Sequence, residues 1–476
     1  MARLTEKQIE ELASQLVDAI ASGRSLDSAN SIESLNTGIF PDIDSAVKAA
    51  CKAFRELMAM TLIKRNEIIY SIRSLMREHA VDLAERAYNE TGLGRREDKI
   101  QKNQLVIEKT PGPEILKPIA DSGDRGLTLI ELAPYGVIGA ITPVTNPTST
   151  IICNTIGMVS AGNAVVFNVH PSAKNVSIYN VALINKAIID AGGPPNLVTT
   201  VSDPTIESAQ ELMRHSGVNL LVVTGGAGVV KAAMQSGKRS ICAGPGNPPV
   251  VVDETADIDN AAKSIVKGAS MDNNIICVDE KEVFVVESVA DRLLSALESA
   301  HSFILNPTQL RQLEKVIFEK DNGRGKPAVI EKSLIGKNAR EILSKINVDV
   351  DDKIRLVIAP VEKDHPLVWT EQMMPVLPIV RMPNADAAID IAKEAEQGNG
   401  HSAVMHSRNL DNLSRMARLM DCSIFVKNGP ALAGLGHGGE GFSSFTIASP
   451  TGEGITNPRS FARERRCVLV DHFRIV

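Results

Sequence analysis

Between Tyr135 and Gly228 the chain alternates short apolar runs with helix-length stretches, and this alternation limits its fold more than any other feature. Tyr135-Gly-Val-Ile-Gly-Ala-Ile141 is an apolar run that stops at Thr142-Pro143. Ala164-Val-Val-Phe167 is a second, after the turn Ala161-Gly-Asn163. The spacing predicts a helix from about Ser172 to Ala191 and a strand over Leu197–Val201. A helix over Glu207–His215 and a strand over Val218–Val223 follow, ending in Thr224-Gly225-Gly226-Ala227-Gly228. Strands separated by helices at this spacing build a parallel, doubly wound sheet. In such α/β sheets ligands bind beyond the carboxyl ends of the strands. Three segments are thereby singled out: Thr142 to Asn146, Asn168 to Pro171 and Thr224 to Gly228.

The remainder organises around this section. Residues 4–21 read as an amphipathic helix, with Ile9, Leu12, Leu16 and Ile20 on one face and acidic residues over much of the rest. Ser22 to Asn36 is polar and reads as a linker. A helix so separated docks back on its own body or a sister subunit, or serves as a docking peptide for another protein. From Phe40 to about Lys109 the pattern is helical, and Gly92 and Gly94 close one helix with left-handed cap geometry. A turn at Asp121–Gly126 precedes a strand at Leu127–Leu132. A second α/β region runs from about Pro249 to Leu435, with helices over Ala290–Phe303 and Thr308–Phe318 and strands at Leu356–Ile358 and Val376–Val380. The tail ends in a strand-like run, Arg465-Arg-Cys-Val-Leu469, that needs a partner sheet.

A net charge of −6 and 3% aromatic content give no basic face or stacking platform for nucleic acid. No apolar run approaches the roughly 18 residues that span a bilayer. The six cysteines (Cys51, Cys153, Cys242, Cys277, Cys422, Cys467) are scattered, without metal-ligand spacing, as in a reduced cytoplasmic protein.

Chemistry concentrates at a few positions. Thr224–Gly228 lies between a strand and a helix, where glycines let a dinucleotide phosphate approach the backbone; a plain tight turn accounts for it equally. Asn146, set between Pro143 and Pro147, can aim its amide at a developing oxyanion or close an Asx-turn. Met271-Asp-Asn-Asn-Ile-Ile-Cys277-Val-Asp-Glu-Lys281 leads two amides and two aliphatics into one cysteine. A lone cysteine is ordinarily a small buried hydrophobe. Its neighbours Ile275, Ile276 and Val278 suit a pocket for short aliphatic groups.

Taken together these motifs resemble the aldehyde dehydrogenase superfamily. The order is the Pro143-x-x-Asn146 stretch, the βα glycine turn, Gly244-Pro-Gly-Asn-Pro-Pro-Val-Val-Val-Asp253, the cysteine stretch and Glu371-Gln-Met-Met-Pro375. Glu90-Thr-Gly-Leu-Gly-Arg95, Ala133-Pro-Tyr-Gly-Val-Ile138 and Arg465–Leu469 narrow it to the CoA-acylating aldehyde dehydrogenases of bacterial microcompartments. The resemblance covers about Gly38 to Val476.

It implies an α/β, aldehyde dehydrogenase-like fold. A doubly wound dinucleotide-binding domain would span 37–248, with 114–134 joining a small β oligomerisation element. A catalytic domain over 249–437 and a C-terminal segment over 438–476 would follow. The helix over 1–21 and linker over 22–36 resemble an encapsulation peptide that would meet a shell protein. The resemblance makes Cys277 the nucleophile and Asn146, with the Cys277 N–H, the oxyanion hole. Thr142, Pro143, His170, Pro171, Thr224, Gly225, Gly226, Ala243, Gly244 and Glu371 become the cofactor contacts, with Glu371 on the nicotinamide ribose; Ile275, Ile276 and Val278 become the substrate contacts.

Two departures from the hydrolytic members stand out. Where those carry a water-activating Glu in Glu-Leu-Gly-Gly, this chain has Ile241-Cys-Ala-Gly-Pro245. Where they carry Lys-Pro, it has His170-Pro171. Without the base, water attack loses help worth roughly 10²–10⁴-fold, and the thiol of CoA can win. The expectation is a homodimeric or homotetrameric enzyme acting on a short-chain aldehyde with NAD and CoA. Hydrolysis to a free acid is the alternative within enzymes, and a non-catalytic cargo protein the alternative outside them. Lys174 is the cation nearest Pro171 that a 2′-phosphate could use. His365 and His401 are candidates to assist the CoA thiol.

Overall fold

The computed structural model describes residues 37–476; the expected helix at 4–21 and linker at 22–36 lie outside the described residues. Two parallel sheets carry the fold. The first runs, in spatial order, Ile39–Phe40, Val198–Val201, Ala164–Asn168, Val137–Ile141, Leu220–Thr224 and Ser240–Ala243, all pairs parallel. Its central strands are buried along their whole length, as Val/Ile-rich strands covered on both faces must be. The direction of winding reverses at Val137–Ile141. Its two neighbours, Ala164–Asn168 and Leu220–Thr224, belong to opposite halves of the sheet. The crevice beyond those carboxyl ends is where such a fold binds a ligand.

The second sheet runs Ser302–Ile304, Leu356–Pro360, Val376–Met382, Glu282–Val286, Pro249–Val252, Ser402–His406 and Ile424–Lys427, again all parallel. Four helices, Ile43–Met58, Leu62–Glu78, Ala80–Thr91 and Arg96–Lys109, account for the predicted helical stretch. Gly92 ends the third with φ +65°, the left-handed cap expected of it.

One element departs from the expectation. The helix foreseen over Ala290–Phe303 occupies Glu287–Ser299, and Ser302–Ile304 is an edge strand. His301 turns the chain at φ +69°, and Ser302, Phe303 and Ile304 pair in register with Leu356, Val357 and Ile358. The ladder overrides the three-to-four spacing of Leu297, Ala300 and Phe303.

The tail strand finds its partner. Ala462–Val470 runs antiparallel to Gly126–Pro134, which also pairs with Ile119–Gly123, giving a separate three-stranded sheet. Asp124-Arg125 is its two-residue hairpin turn. No helix among the described residues is long and apolar enough to cross a membrane.

Candidate active site

The first sheet offers its carboxyl ends. Thr142 follows Val137–Ile141 and is buried, its hydroxyl without a partner among the described residues. Asn146 stands at the N-terminal boundary of the buried helix Pro147–Ser160 but makes no side-chain bond to it. The Asx-turn reading therefore fails. Its Oδ1 accepts from Lys102 Nζ at 2.6 Å, and its Nδ2 donates to Thr145 Oγ1 at 3.1 Å.

Thr224 ends the next strand. Gly226 precedes the helix Ala227–Met234, which has no side-chain cap. A Cβ added at Gly226 or Gly228 would meet nothing within 4 Å, so the backbone amides there are open to an anion. Beyond Ala164–Asn168, His170 Nδ1 accepts from Ser172 N–H, and burial lowers the imidazole's pKa, favouring its neutral form. Pro171 follows it. Lys174 is paired with Asp203 at 2.8 Å. Ala243 and Gly244 close the row, with Pro450 Cγ only 3.2 Å from a Cβ placed on Gly244. The Cys242 N–H donates to Thr451 Oγ1.

The second sheet offers its amino ends. Gly246, Cys277, Glu371 and His401 precede Pro249–Val252, Glu282–Val286, Val376–Met382 and Ser402–His406. A Cβ on Gly246 would lie 2.8 Å from the Cys277 carbonyl and 3.0 Å from His401 Cγ. Only glycine fits between the cysteine turn and that histidine. The Glu371 carboxylate lies near the Gly246 N–H, Cys277 and Lys281.

From Gly268 to Val286 every residue is buried except one, Cys277. Desolvation, then the Glu371 and Asp279 carboxyls, push its thiol up to about 12, while Lys281 pulls the other way. Burial holds His401 down at about 4, so it is neutral, and its Nε2 has no partner among the described residues.

The turn that presents Cys277 is strained. Asp272, Asn273 and Asn274 have φ +46°, +56° and +65°, each costing on the order of 1–3 kcal/mol and persisting only where the surroundings over-determine it. Here they do. Asp272 takes the Arg95 N–H at 2.7 Å and the Lys99 and Lys102 ammonium groups. Asn273 donates to Asn338 Oδ1 and to the Gly336 carbonyl. Asn274 donates to the carbonyls of Ala269 and Glu280, and Lys281 Nζ returns to Asn274 O and Oδ1 at 2.7 and 2.6 Å.

Sequence reasoning missed Lys99, Lys102 and Lys281. The helix Arg96–Lys109 carried a signal: Asp98, Lys99, Lys102 and Asn103 fall at three-to-four spacing, and all are buried. Ile276 and Val278 are packed in the main core, and Ile275 lies against the Gly336 turn. Cys153 and Cys242 are buried, their thiols pushed up by desolvation to about 12 and about 11. His365 is bonded to Glu314 at 2.6 Å.

The first sheet thus ends in an unhindered glycine turn and an orphaned Thr142 hydroxyl, the second is preceded by the half-buried Cys277 thiol, and Lys102 ties Asn146 of the one to Asp272 of the other. The aldehyde dehydrogenase family model matches residues 29–309. An acetaldehyde dehydrogenase (acetylating) of Salmonella typhimurium is 51% identical over 440 residues, covering 92% of this chain and 94% of that one. The chain belongs to the aldehyde dehydrogenase family. This dehydrogenase is also 45% identical to a propanal dehydrogenase (CoA-propanoylating) of Salmonella typhimurium, over 92% of this chain and 93% of the relative. Among solved structures it resembles a Rhodopseudomonas palustris propionaldehyde dehydrogenase with bound CoA and an acylated cysteine. The TM-score is 0.89 and the identity 47%, covering 91% of this chain and 98% of that one. It is equally similar to a propionaldehyde dehydrogenase from a fucose utilisation microcompartment of Clostridium phytofermentans. There the TM-score is 0.89 at 46% identity, over 92% and 100% of the two chains.

Proposed function

We propose that this enzyme oxidises a short-chain aliphatic aldehyde to its acyl-CoA with reduction of NAD, through a thioester on Cys277. The observation that carries it is the partial exposure of Cys277, alone within a buried run and beside Glu371. The Cys277 thiolate adds to the aldehyde carbonyl, giving a thiohemiacetal whose oxyanion takes the Asn146 amide and the Cys277 N–H. NAD, when bound, supplies the hydride acceptor, and CoA supplies the thiol that carries the acyl group away. Thr142, Pro143, His170, Pro171, Thr224, Gly225, Gly226, Ala243 and Gly244 would hold the cofactor, and Glu371 its ribose. The unhindered backbone at Gly226 and Gly228 and the orphaned Thr142 hydroxyl suit that group. Lys174 is taken up by Asp203, which favours NAD over a cofactor with a 2′-phosphate.

Water is a poor competitor for the acyl group. Ile241–Pro245 holds no carboxylate, and Pro450 and Thr451 pack against it. One thioester replaces another, so the reaction runs in both directions. The relatives from a fucose microcompartment and from CoA-propanoylating enzymes support a place inside a bacterial microcompartment, with residues 4–21 meeting the shell and a homodimer or homotetramer as the working form. Cys277→Ala tests the assignment: both NADH formation from propanal and NADH consumption with propanoyl-CoA are lost. Turnover by that variant in either direction refutes it.

A further inference from the structure

Asn146 can donate to an oxyanion only if its amide points the right way, and one buried lysine sets that direction. Lys102 is 3% exposed. Its Nζ reaches the Asp272 carboxylate, Asn146 Oδ1 at 2.6 Å and the Thr145 carbonyl at 3.4 Å. An ammonium has three N–H bonds and no lone pair. Those three acceptors use all three donors, and the atom of Asn146 that faces Lys102 must be the oxygen. The Asn146 NH₂ group is therefore turned away from the lysine. One of its hydrogens goes to Thr145 Oγ1, and the other has no partner among the described residues.

The far side of the lysine is tied to the nucleophile. Asp272 opens the strained turn that leads to Cys277. Besides Lys102 it holds Lys99 at 3.0 Å and the Arg95 N–H. Its own N–H donates to the Asp98 carboxylate at 2.9 Å, which Arg355 grips at 2.5 Å. Among the described residues, Lys102 is thus the single side chain that bonds both the turn of the thiol and the amide of Asn146.

We infer that Lys102, anchored by Asp272, is a positioning residue that aims the Asn146 amide at the oxyanion and couples it to the Cys277 turn. This rests on the proposed role of Asn146. The test is a double-mutant cycle on the single-turnover rate of NADH formation, using Asn146→Ala, Lys102→Met and the double variant, with Cys277 alkylation by iodoacetamide measured on each. Asn146→Ala is expected to slow NADH formation by about 10²–10³-fold, the loss typical of an oxyanion donor. Lys102→Met should slow it by at least about tenfold, and the double variant should be no slower than Asn146→Ala alone, since a residue acting through another adds nothing once that one is gone. Alkylation, which develops no oxyanion, should change by less than about twofold in Lys102→Met. Multiplying losses, or alkylation slowed in parallel with turnover, would overturn the inference and leave Lys102 a purely structural residue. An Asn146→Ala variant with full activity would instead overturn the oxyanion assignment itself. If Lys102→Met does not fold, Lys102→Ala, which leaves Asp272 paired with Lys99 and the Arg95 N–H, enters the same cycle.

Discussion

Cys277 sits in surroundings that oppose its ionisation. Burial and two neighbouring carboxyl groups raise the thiol to about 12, yet only the thiolate attacks a carbonyl. The resting thiol is thereby protected, and ionisation requires a ligand whose positive charge offsets the neighbouring carboxyl groups. The enzyme without ligands should then alkylate with a log rate that climbs linearly with pH, about tenfold per unit from pH 7 to pH 10. Inactivation by iodoacetamide reads this directly, and a plateau below pH 8 would contradict the environment described. The cysteine itself was legible from the order of motifs around it. Its field was not, because Glu371 comes from a distant segment and Lys281, although within the cysteine stretch, is buried and turned back on Asn274. The oxyanion role given to Asn146 had a rival in a local turn. A lysine forty-four positions earlier takes up the side-chain oxygen and so excludes that turn, and nothing near Asn146 in sequence announces it.

At the scale of elements, the helix Arg96–Lys109 supports the nucleophile's turn from behind. The motif Glu90–Arg95 explains itself here. Glu90 accepts the Asn175 and Val176 N–H groups at the start of the helix Lys174–Asp190. Gly94, at φ +76°, leaves room for Asp272, whose carboxylate a Cβ would strike. Arg95 donates its N–H to that carboxylate. The helical pattern to Lys109 is legible in the sequence, but its buried polar stripe is not, because three-to-four spacing gives the same pattern for a solvated charged face. Lys99 offers a stability test. Desolvation lowers its ammonium from 10.5 to about 8, outweighing the pull of Asp272. Between those values the unfolded chain holds the proton more tightly than the folded one, so stability rises with pH there and the buried charge is a burden below it. Chemical denaturation at pH 7.5 and pH 9.5 should show this lysine contributing on the order of 2 kcal/mol to the gain. Lys99→Met should lose that increment; an unchanged pH slope in the variant would contradict the assignment.

The molecule as a whole joins the carboxyl ends of one parallel sheet to the turn at the amino ends of another, through Lys102 between Asn146 and Asp272. Alternating apolar runs made the four central strands of the first sheet readable, but not its edge strands Ile39–Phe40 and Ser240–Ala243, which are short and are set by the ladders they complete. The second was legible only in part, since Ser302–Ile304 is a strand because of the edge it completes. The three-stranded sheet projects Val468, Leu469 and Val470, 55%, 43% and 61% exposed, beside the exposed strand Ile119–Gly123. Exposed apolar strands of this kind invite a partner. Light scattering should give a dimer or tetramer for the full chain and a monomer for a chain ending at Ala462, and an unchanged mass would place the interface elsewhere. The central claim concerns the fate of the acyl group, and one experiment reaches it. The enzyme is mixed with propanal and NAD without any thiol, and NADH and intact mass are followed together. The account predicts a burst of about one NADH per subunit, a propanoyl adduct on Cys277, and steady turnover only after CoA is added. Continuous NADH formation without CoA, with free propanoate as product, would contradict it.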